Sequence, residues 1–160
     1  MNPVICLLLL ITANAAPVLA ADIFKSRAAW ALDGGLCFVD GRPWFGAAKT
    51  WRGVISALLA SGLLAEILGL GWQLGTSFGA LAMAGDLLSS FLKRRVGIAV
   101  SGRAWLLDQL PESALPVLLL QQPLGLTSLW QALGVIALFL ILDITLSPLL
   151  YRLRLRKRPY

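Results

Sequence analysis

Five long apolar stretches, at about residues 3–20, 53–72, 74–92, 105–120 and 129–151, hold no Lys or Arg and are separated by more polar stretches. At a rise of 1.5 Å per residue, runs of this length cross a hydrocarbon core of roughly 30 Å as α-helices. The pattern therefore predicts an all-α, polytopic membrane protein with about five transmembrane helices in a single domain over residues 1–160. The fourth stretch is short and carries Pro111 and Pro116, so a broken or partly re-entrant helix is expected there. The third is rich in small residues, Gly75, Gly79, Ala80, Ala82, Ala84 and Gly85, which let neighbouring helices approach closely and predict a central position in the bundle.

The polar stretches add orientation. All 14 Lys and Arg residues fall in three clusters, Lys25 to Arg52, Lys93 to Arg103 and Arg152 to Arg158. Five crossings with the amino end outside bring these clusters to one face, the cytoplasmic one by the positive-inside bias. No Lys or Arg precedes Lys25, so the first stretch reads as an uncleaved helix rather than a secretory signal. Trp51, Trp72, Trp105, Trp130 and Tyr151 fall at segment ends, where such rings prefer the headgroup level. The loop over 22–52 is dense in turn formers, Asp33-Gly34-Gly35 and Asp40-Gly41-Arg42-Pro43, interleaved with Phe38, Trp44, Phe45 and Trp51. It is expected to form a structured cytoplasmic cap on the bundle. The second cytoplasmic loop runs over 93–104, and the basic tail over 152–160 reads as an anionic-lipid anchor.

Composition agrees: 58% of residues are hydrophobic and 14% charged, with a mean hydropathy of +0.79. That is too apolar for a soluble domain of this size, and the net charge of +6 is assigned to a membrane surface rather than to nucleic acid. The absence of His removes His-based general-base catalysis and most transition-metal sites. Cys6 and Cys37 imply no disulfide or metal framework. Carboxylates, hydroxyls and cations remain, the groups that handle phosphates with a hard cation.

The densest chemistry lies in Gly85-Asp86 followed by Ser89-Ser90-Phe91-Leu92-Lys93-Arg94-Arg95. On a helix Asp86, Ser90 and Lys93 share one stripe, so either Asp86 pairs with Lys93 or a neighbouring helix, or it is a Mg²⁺-liganding carboxylate about two turns below a phosphate clamp. Asp108, opening the fourth segment on the same side, offers the second carboxylate or serves simply as a helix amino-terminal acid. Lys49-Thr50-Trp51-Arg52-Gly53 can reach phosphate oxygens at a helix start, or act only as a positive-inside flank. Asp33 and Asp40 stand beside glycines as turn residues; Asn14 can line the pocket; Glu112 reads as interfacial; Glu66 and Asp143 are expected in interhelical bonds or near an interface.

Taken in order, Asn14-Ala15-Ala16-Pro17-Val18, Leu32-Asp33-Gly34-Gly35, Asp40-Gly41-Arg42-Pro43 with Gly46, Lys49-Thr50-Trp51-Arg52-Gly53, the Gly85-Asp86 to Arg95 run, Gly102 and Asp108-Gln109 resemble the CDP-archaeol synthase family over about residues 13–112. That family is similar in turn to integral-membrane phosphatidate cytidylyltransferases. The resemblance implies transfer of a cytidylyl group from CTP to a lipid phosphate with Mg²⁺, giving a CDP-lipid and pyrophosphate. By position it implies Asp86 and Asp108 as metal ligands and Ser90, Lys93, Arg94 and Arg95 near the nucleotide phosphates. Lys49 and Arg52, with Asp33, Asp40 and Arg42, would complete a cytoplasmic pocket. The expected partners are CTP, a lipid phosphate and membrane lipids, and the expected location is the cytoplasmic membrane with the site facing inward. The competing reading is a non-catalytic protein that binds or translocates an anionic lipid.

Overall fold

The computed structural model describes residues 3–100, 102 and 104–152; all but the first residue of the expected lipid anchor at 152–160 lies outside them, as do Ser101 and Arg103. Five helices follow one another: α1 (Pro3–Phe24), α2 (Trp51–Ile67), α3 (Trp72–Arg95), α4 (Trp105–Leu119) and α5 (Leu129–Arg152). Among the described residues there is no strand, only two isolated bridges, Ala31 with Thr50 and Cys37 with Pro43, inside the loop before α2.

The helix limits have local causes. Thr50 is the N-cap of α2, extended at φ −123° and ψ 150°, and its Oγ1 accepts the Gly53 amide at 3.2 Å. At the far end of α2 the Glu66 carboxylate accepts the Trp72 amide at 2.7 Å, so this apolar-segment acid joins α2 to the first residue of α3. The α3 helix stops where Gly97 takes φ 83°, with the Gly97 and Ile98 amides folding back on the carbonyls of Arg94 and Lys93. Pro111 and Pro116 do not break α4, which is continuous over its 15 residues. This corrects the expectation of a broken segment. The lost amides cost hydrogen bonds, but φ near −65° suits a helix already held by its neighbours.

Shared packing sets the layout. Cys6, Leu9 and Leu10 of α1, Ala65 of α2, Phe78 of α3, Val117 of α4 and Val135, Ile136 and Phe139 of α5 form one buried core. These residues come from the starts of α1, α3 and α5 and the ends of α2 and α4, so the helices alternate in direction and the core fills one end of the bundle. The start of α2 and the end of α3, with their cations, fall at the other end. Helix α3 packs against α1, α2 and α4, as its small residues predict. A Cβ on Gly75 would stand 2.2 Å from the Ser61 carbonyl oxygen, and one on Gly85 2.2 Å from that of Pro111, so both contacts are backbone against backbone.

Among the described residues, length and composition single out one helix, α1, as able to cross a bilayer unaided, while the apolar part of α5, Leu129–Thr145, is shorter. The expectation of five helices is met; among the described residues, one of them is an apolar span by this measure. The helices α2 and α4 have 17 and 15 residues, and α3, although 24 long, ends in Lys93-Arg94-Arg95. A helix of 15 residues is only about 22 Å long, shorter than a hydrocarbon core of roughly 30 Å.

A candidate active site where charged pairs meet

Two ion pairs flank the contact between α3 and α4. Lys49, just before α2, places Nζ 2.6 Å from both Asp86 oxygens, and Lys93 on α3 places Nζ 2.6 Å from Asp108 Oδ1 on α4. The side chains of Lys49 and Asp86 are 26% and 23% exposed, and those of Lys93 and Asp108 11% and 29%. Asp86 thus pairs across helices rather than with Lys93 along its own stripe. Asp108 does also act as a helix-start acid, its Oδ2 accepting the Ala104 amide at 3.0 Å. Lys93 makes a further bond to the Gly102 carbonyl at 3.2 Å.

Arg94 is buried beside them. Its Nη2 donates to the Ala99 carbonyl at 2.9 Å, while Nε and Nη1 have no hydrogen-bond partner among the described residues. A buried guanidinium with donors to spare is suited to a planar oxyanion such as a phosphate. Ser90 is buried on the same face of α3, four residues after Asp86.

The remaining expected residues are engaged by the loop, residues 25–50. Asp33 accepts three backbone amides, Gly35 at 3.1 Å, Phe45 at 3.0 Å and Gly46 at 2.8 Å. Partial burial pushes its carboxyl up, but these amides outweigh it and hold the group below the ordinary aspartate range. Asp40 accepts the Arg42 amide and pairs with Arg95 at 2.8 Å. Arg95 also donates to the Pro43 carbonyl at 2.7 Å and lies 4.7 Å from the ring centres of Phe38 and Phe91. Arg42 caps the end of α3 by donating to the carbonyls of Arg94 and Arg95 at 3.0 and 2.7 Å. Arg52 donates to those of Lys25 and Arg27 at 2.9 and 2.7 Å. With Phe38 and Trp44 packed on Phe91 of α3, the loop is the structured cap expected from its aromatic residues.

Sequence reasoning gave Arg42, Arg52, Arg95, Asp33 and Asp40 a share in substrate binding; in the structure their charged groups brace main chain. Thr50 caps α2, and Asn14 donates to the Leu10 carbonyl one turn back, at 3.1 Å. The interhelical bond expected of Asp143 is present: Gln109 on α4 donates to Asp143 on α5. One feature was missed. Glu112, expected at an interface, is 9% exposed and sits among Asp86, Lys49, Asp143 and Asp108. Its position four residues after Asp108, on the same helix face, was the available signal.

Among the described residues no three His, Cys, Asp or Glu side chains form a metal cluster. Mg²⁺ does not need one, since it commonly takes one or two protein carboxylates and completes its shell with water and phosphate oxygens. Asp86 and Asp108 fit that role: both are partly exposed and each already faces a cationic nitrogen at 2.6 Å.

The same fold occurs in a solved intramembrane enzyme. A solved intramembrane enzyme for the biosynthesis of archaeal membrane lipids superimposes with a TM-score of 0.75 and 31% identity, covering 90% of this chain and 91% of the other. Residues 68–160 match the family model described as CarS-like, CDP-archaeol synthase. The CDP-archaeol synthase of Pyrobaculum calidifontis is 35% identical over the whole of both chains, and that of Sulfurisphaera tokodaii is 33% identical over 77% of each. The chain belongs to the CDP-archaeol synthase family.

Proposed function

We propose that the protein is a CTP-dependent cytidylyltransferase that converts a membrane lipid phosphate into a CDP-lipid and releases pyrophosphate. The observation that carries the reading, beyond family membership, is the juxtaposition of two cross-helix Lys–Asp pairs that remain partly exposed at the cap end of the bundle. Each can separate into a cation and a carboxylate when a ligand bearing both kinds of charge arrives. The phosphate oxygen of the lipid attacks the α-phosphorus of CTP, the bond from that phosphorus to the bridging oxygen breaks, and pyrophosphate leaves. Lys49, Lys93 and Arg94 would neutralise the charge that develops on the phosphate oxygens. Asp86 and Asp108 would hold Mg²⁺, which when bound supplies charge neutralisation on bridging phosphate oxygens. Ser90 lines the same face of α3. The cap, held by Asp33, Arg42 and Arg95, would exclude water that could compete with the lipid phosphate.

The placement is a multi-pass one in the cytoplasmic membrane, with the cap and its cations inside. The two native thiols test this: Cys37 is exposed on the cap and Cys6 is buried. A membrane-impermeant maleimide should label Cys37 in inverted vesicles and not in right-side-out ones; the reverse pattern inverts the topology. For activity, purified protein is given CTP labelled at the α-phosphate, Mg²⁺ and a panel of lipid phosphates. Label should enter the lipid fraction, and Asp86→Asn and Lys93→Ala should abolish it. Binding of CTP or lipid without turnover by the wild type would instead favour the non-catalytic lipid-binding protein.

A further inference from the structure

The turn that ends α1 gathers cations that take no part in the ion pairs beside the contact of α3 and α4. Lys25 and Arg27 are exposed, with Ser26 between them, and Arg52 of α2 reaches the same turn by donating to the Lys25 and Arg27 carbonyls at 2.9 and 2.7 Å. Asp22 is the single carboxylate from 22 to 30, so three cations meet one acid. The backbone is held in an unfavoured form. Lys25 and Ala28 have φ of 51° and 52°, in the left-handed region that residues with a Cβ seldom adopt. Two such residues within four positions persist only where their surroundings over-determine them, and the two bonds from Arg52 do so. The result is a fixed turn that displays Lys25 and Arg27 beside a hollow of about 490 Å³, lined by Ile23, Phe24, Lys25, Ser26 and Arg27.

The surroundings of this turn are those of a bilayer boundary. Helix α1 is long and apolar enough to cross a bilayer, and Leu8, Ile11, Leu19 and Ile23 form an exposed apolar track along one of its faces up to the turn. Trp30 and Trp51 are both more than half exposed, and the Trp51 amide donates to the Trp30 carbonyl at 3.2 Å. Indole rings favour the headgroup level, so the pair marks the depth of the turn. From this arrangement we infer that the α1 turn is a binding site for an anionic phospholipid of the surrounding bilayer, separate from the lipid phosphate of the proposed reaction. Its acyl chains lie along the α1 track, and its phosphodiester is taken by Lys25 and Arg27 through charge-assisted hydrogen bonds, with the Ser26 hydroxyl between them. A zwitterionic lipid carries its own cation beside the same phosphate and offers the turn no net charge. An anionic one fills the hollow and offsets the repulsion among Lys25, Arg27 and Arg52.

The test places the protein in phosphatidylcholine vesicles that contain a small fraction of phosphatidylglycerol, with bromine on the upper acyl chains of one lipid or the other. Quenching of tryptophan emission is read, since Trp30 and Trp51 adjoin the turn. The relative affinity for wild type should favour phosphatidylglycerol by about 10-fold, the order expected when two surface cations act on one anionic headgroup. The double variant Lys25→Gln with Arg27→Gln should bring that ratio close to unity, and Lys25→Arg with Arg27→Lys should keep it. Arg156→Gln with Lys157→Gln removes the same charge from the tail and should also keep it. Equal quenching of wild type by the two lipids would overturn the inference, as would a preference that survives neutralising Lys25 and Arg27. An equal fall in both neutralised variants overturns it too, because the lipid would then answer to net charge rather than to the turn. So does a fall in the charge-conserving pair as large as in the neutral pair, which would assign the loss to the fold.

Discussion

The seam between α3 and α4 and the cap above it are built from the same residue types, and they use them in opposite ways. In the seam, Asp86 faces Lys49 and Asp108 faces Lys93, charge against charge, with the groups partly exposed. In the cap, Asp33 is bonded to three backbone amides, Arg42 and Arg52 to backbone carbonyls, and Arg95 to both backbone and Asp40. A side-chain pair can open and re-form around the charges of a ligand. A carboxylate that satisfies three amides cannot leave without orphaning them, at roughly 1–3 kcal/mol for each buried group left without a partner. Under the proposed function, hydrogen-bond partners rather than residue identity separate the working charges from the bracing ones.

The sharpest way to break the comparison is to substitute the seam alone. Asp86→Asn keeps the shape and a hydrogen-bond acceptor but removes the negative charge. Transfer of labelled cytidylyl groups to lipid should fall by about 10²–10³-fold, the scale of losing one major electrostatic contact to the reacting groups. The unfolding temperature in detergent should change little, since the Lys49–Asp86 pair is partly exposed and such pairs contribute only ~1 kcal/mol or less. A large loss of stability with the activity kept would place Asp86 with the bracing residues.

Gly85→Ala attacks the seam through its backbone. The added Cβ would lie 2.2 Å from the Pro111 carbonyl oxygen, which no real contact permits, so α3 and α4 must part. Destabilisation of about 3 kcal/mol is expected, at the upper end of overpacking costs. Activity should fall further than stability alone explains, because Asp86 on α3 and Asp108 on α4 separate. Gly34→Ala, at a cap glycine with open space around it, should show only the strain of its φ of 57° and keep the seam intact.

Asp33→Ala is the corresponding test of the cap. Removing the acceptor of three amides should cost about 2 kcal/mol and loosen the loop, read as lost quenching or shifted emission of Trp44, while the helical circular dichroism of the bundle stays. The pH dependence follows from the lowered carboxyl. A group whose folded-state pKa lies below its unfolded value stabilises the fold above the unfolded pKa, and loses that contribution as pH falls through the folded one. The Asp33 contribution should therefore be complete at neutral pH and persist down to the ordinary aspartate range. It should fade only below that range, and Asp33→Asn should remove this acid-side decline.

Much of this was legible beforehand. The five helices, the cap with its aromatic anchors and the gathering of cations at one end all follow from apolar run length, turn residues and charge clustering. Asp86, Asp108, Lys49 and Lys93 were legible as candidates for paired charges because charged residues in or beside apolar segments require partners. The pairing itself was not, since it depends on which helices cross and at what depth, and the stripe of Asp86 and Lys93 on one helix suggests a different pair. The backbone bonds of Arg42 and Asp33 were not legible for a related reason: a long-range bond from a side chain to a distant backbone group leaves no spacing pattern in the sequence. The limits of α2 and α3 moved from 53–72 and 74–92 to 51–67 and 72–95 because Thr50, Glu66 and Gly97 cap them, and capping is decided by local geometry.

Thr50 joins the two regions and should give the smallest effect. It precedes Trp51 at the start of α2, directly after Lys49, and its hydroxyl accepts the Gly53 amide. Thr50→Ala removes one cap and should cost about 1 kcal/mol of stability, whereas Thr50→Ser keeps the acceptor and should cost only a few tenths. If capping is its only role, the apparent KM for CTP should be the same in both variants once each is assayed below its unfolding range. A KM that rises several-fold in Thr50→Ala and not in Thr50→Ser would show the hydroxyl reaching the nucleotide as well, since it can donate to a phosphate oxygen while still accepting from Gly53. That result would move the border of the seam one residue past Lys49, into a residue that the resting structure assigns to the scaffold.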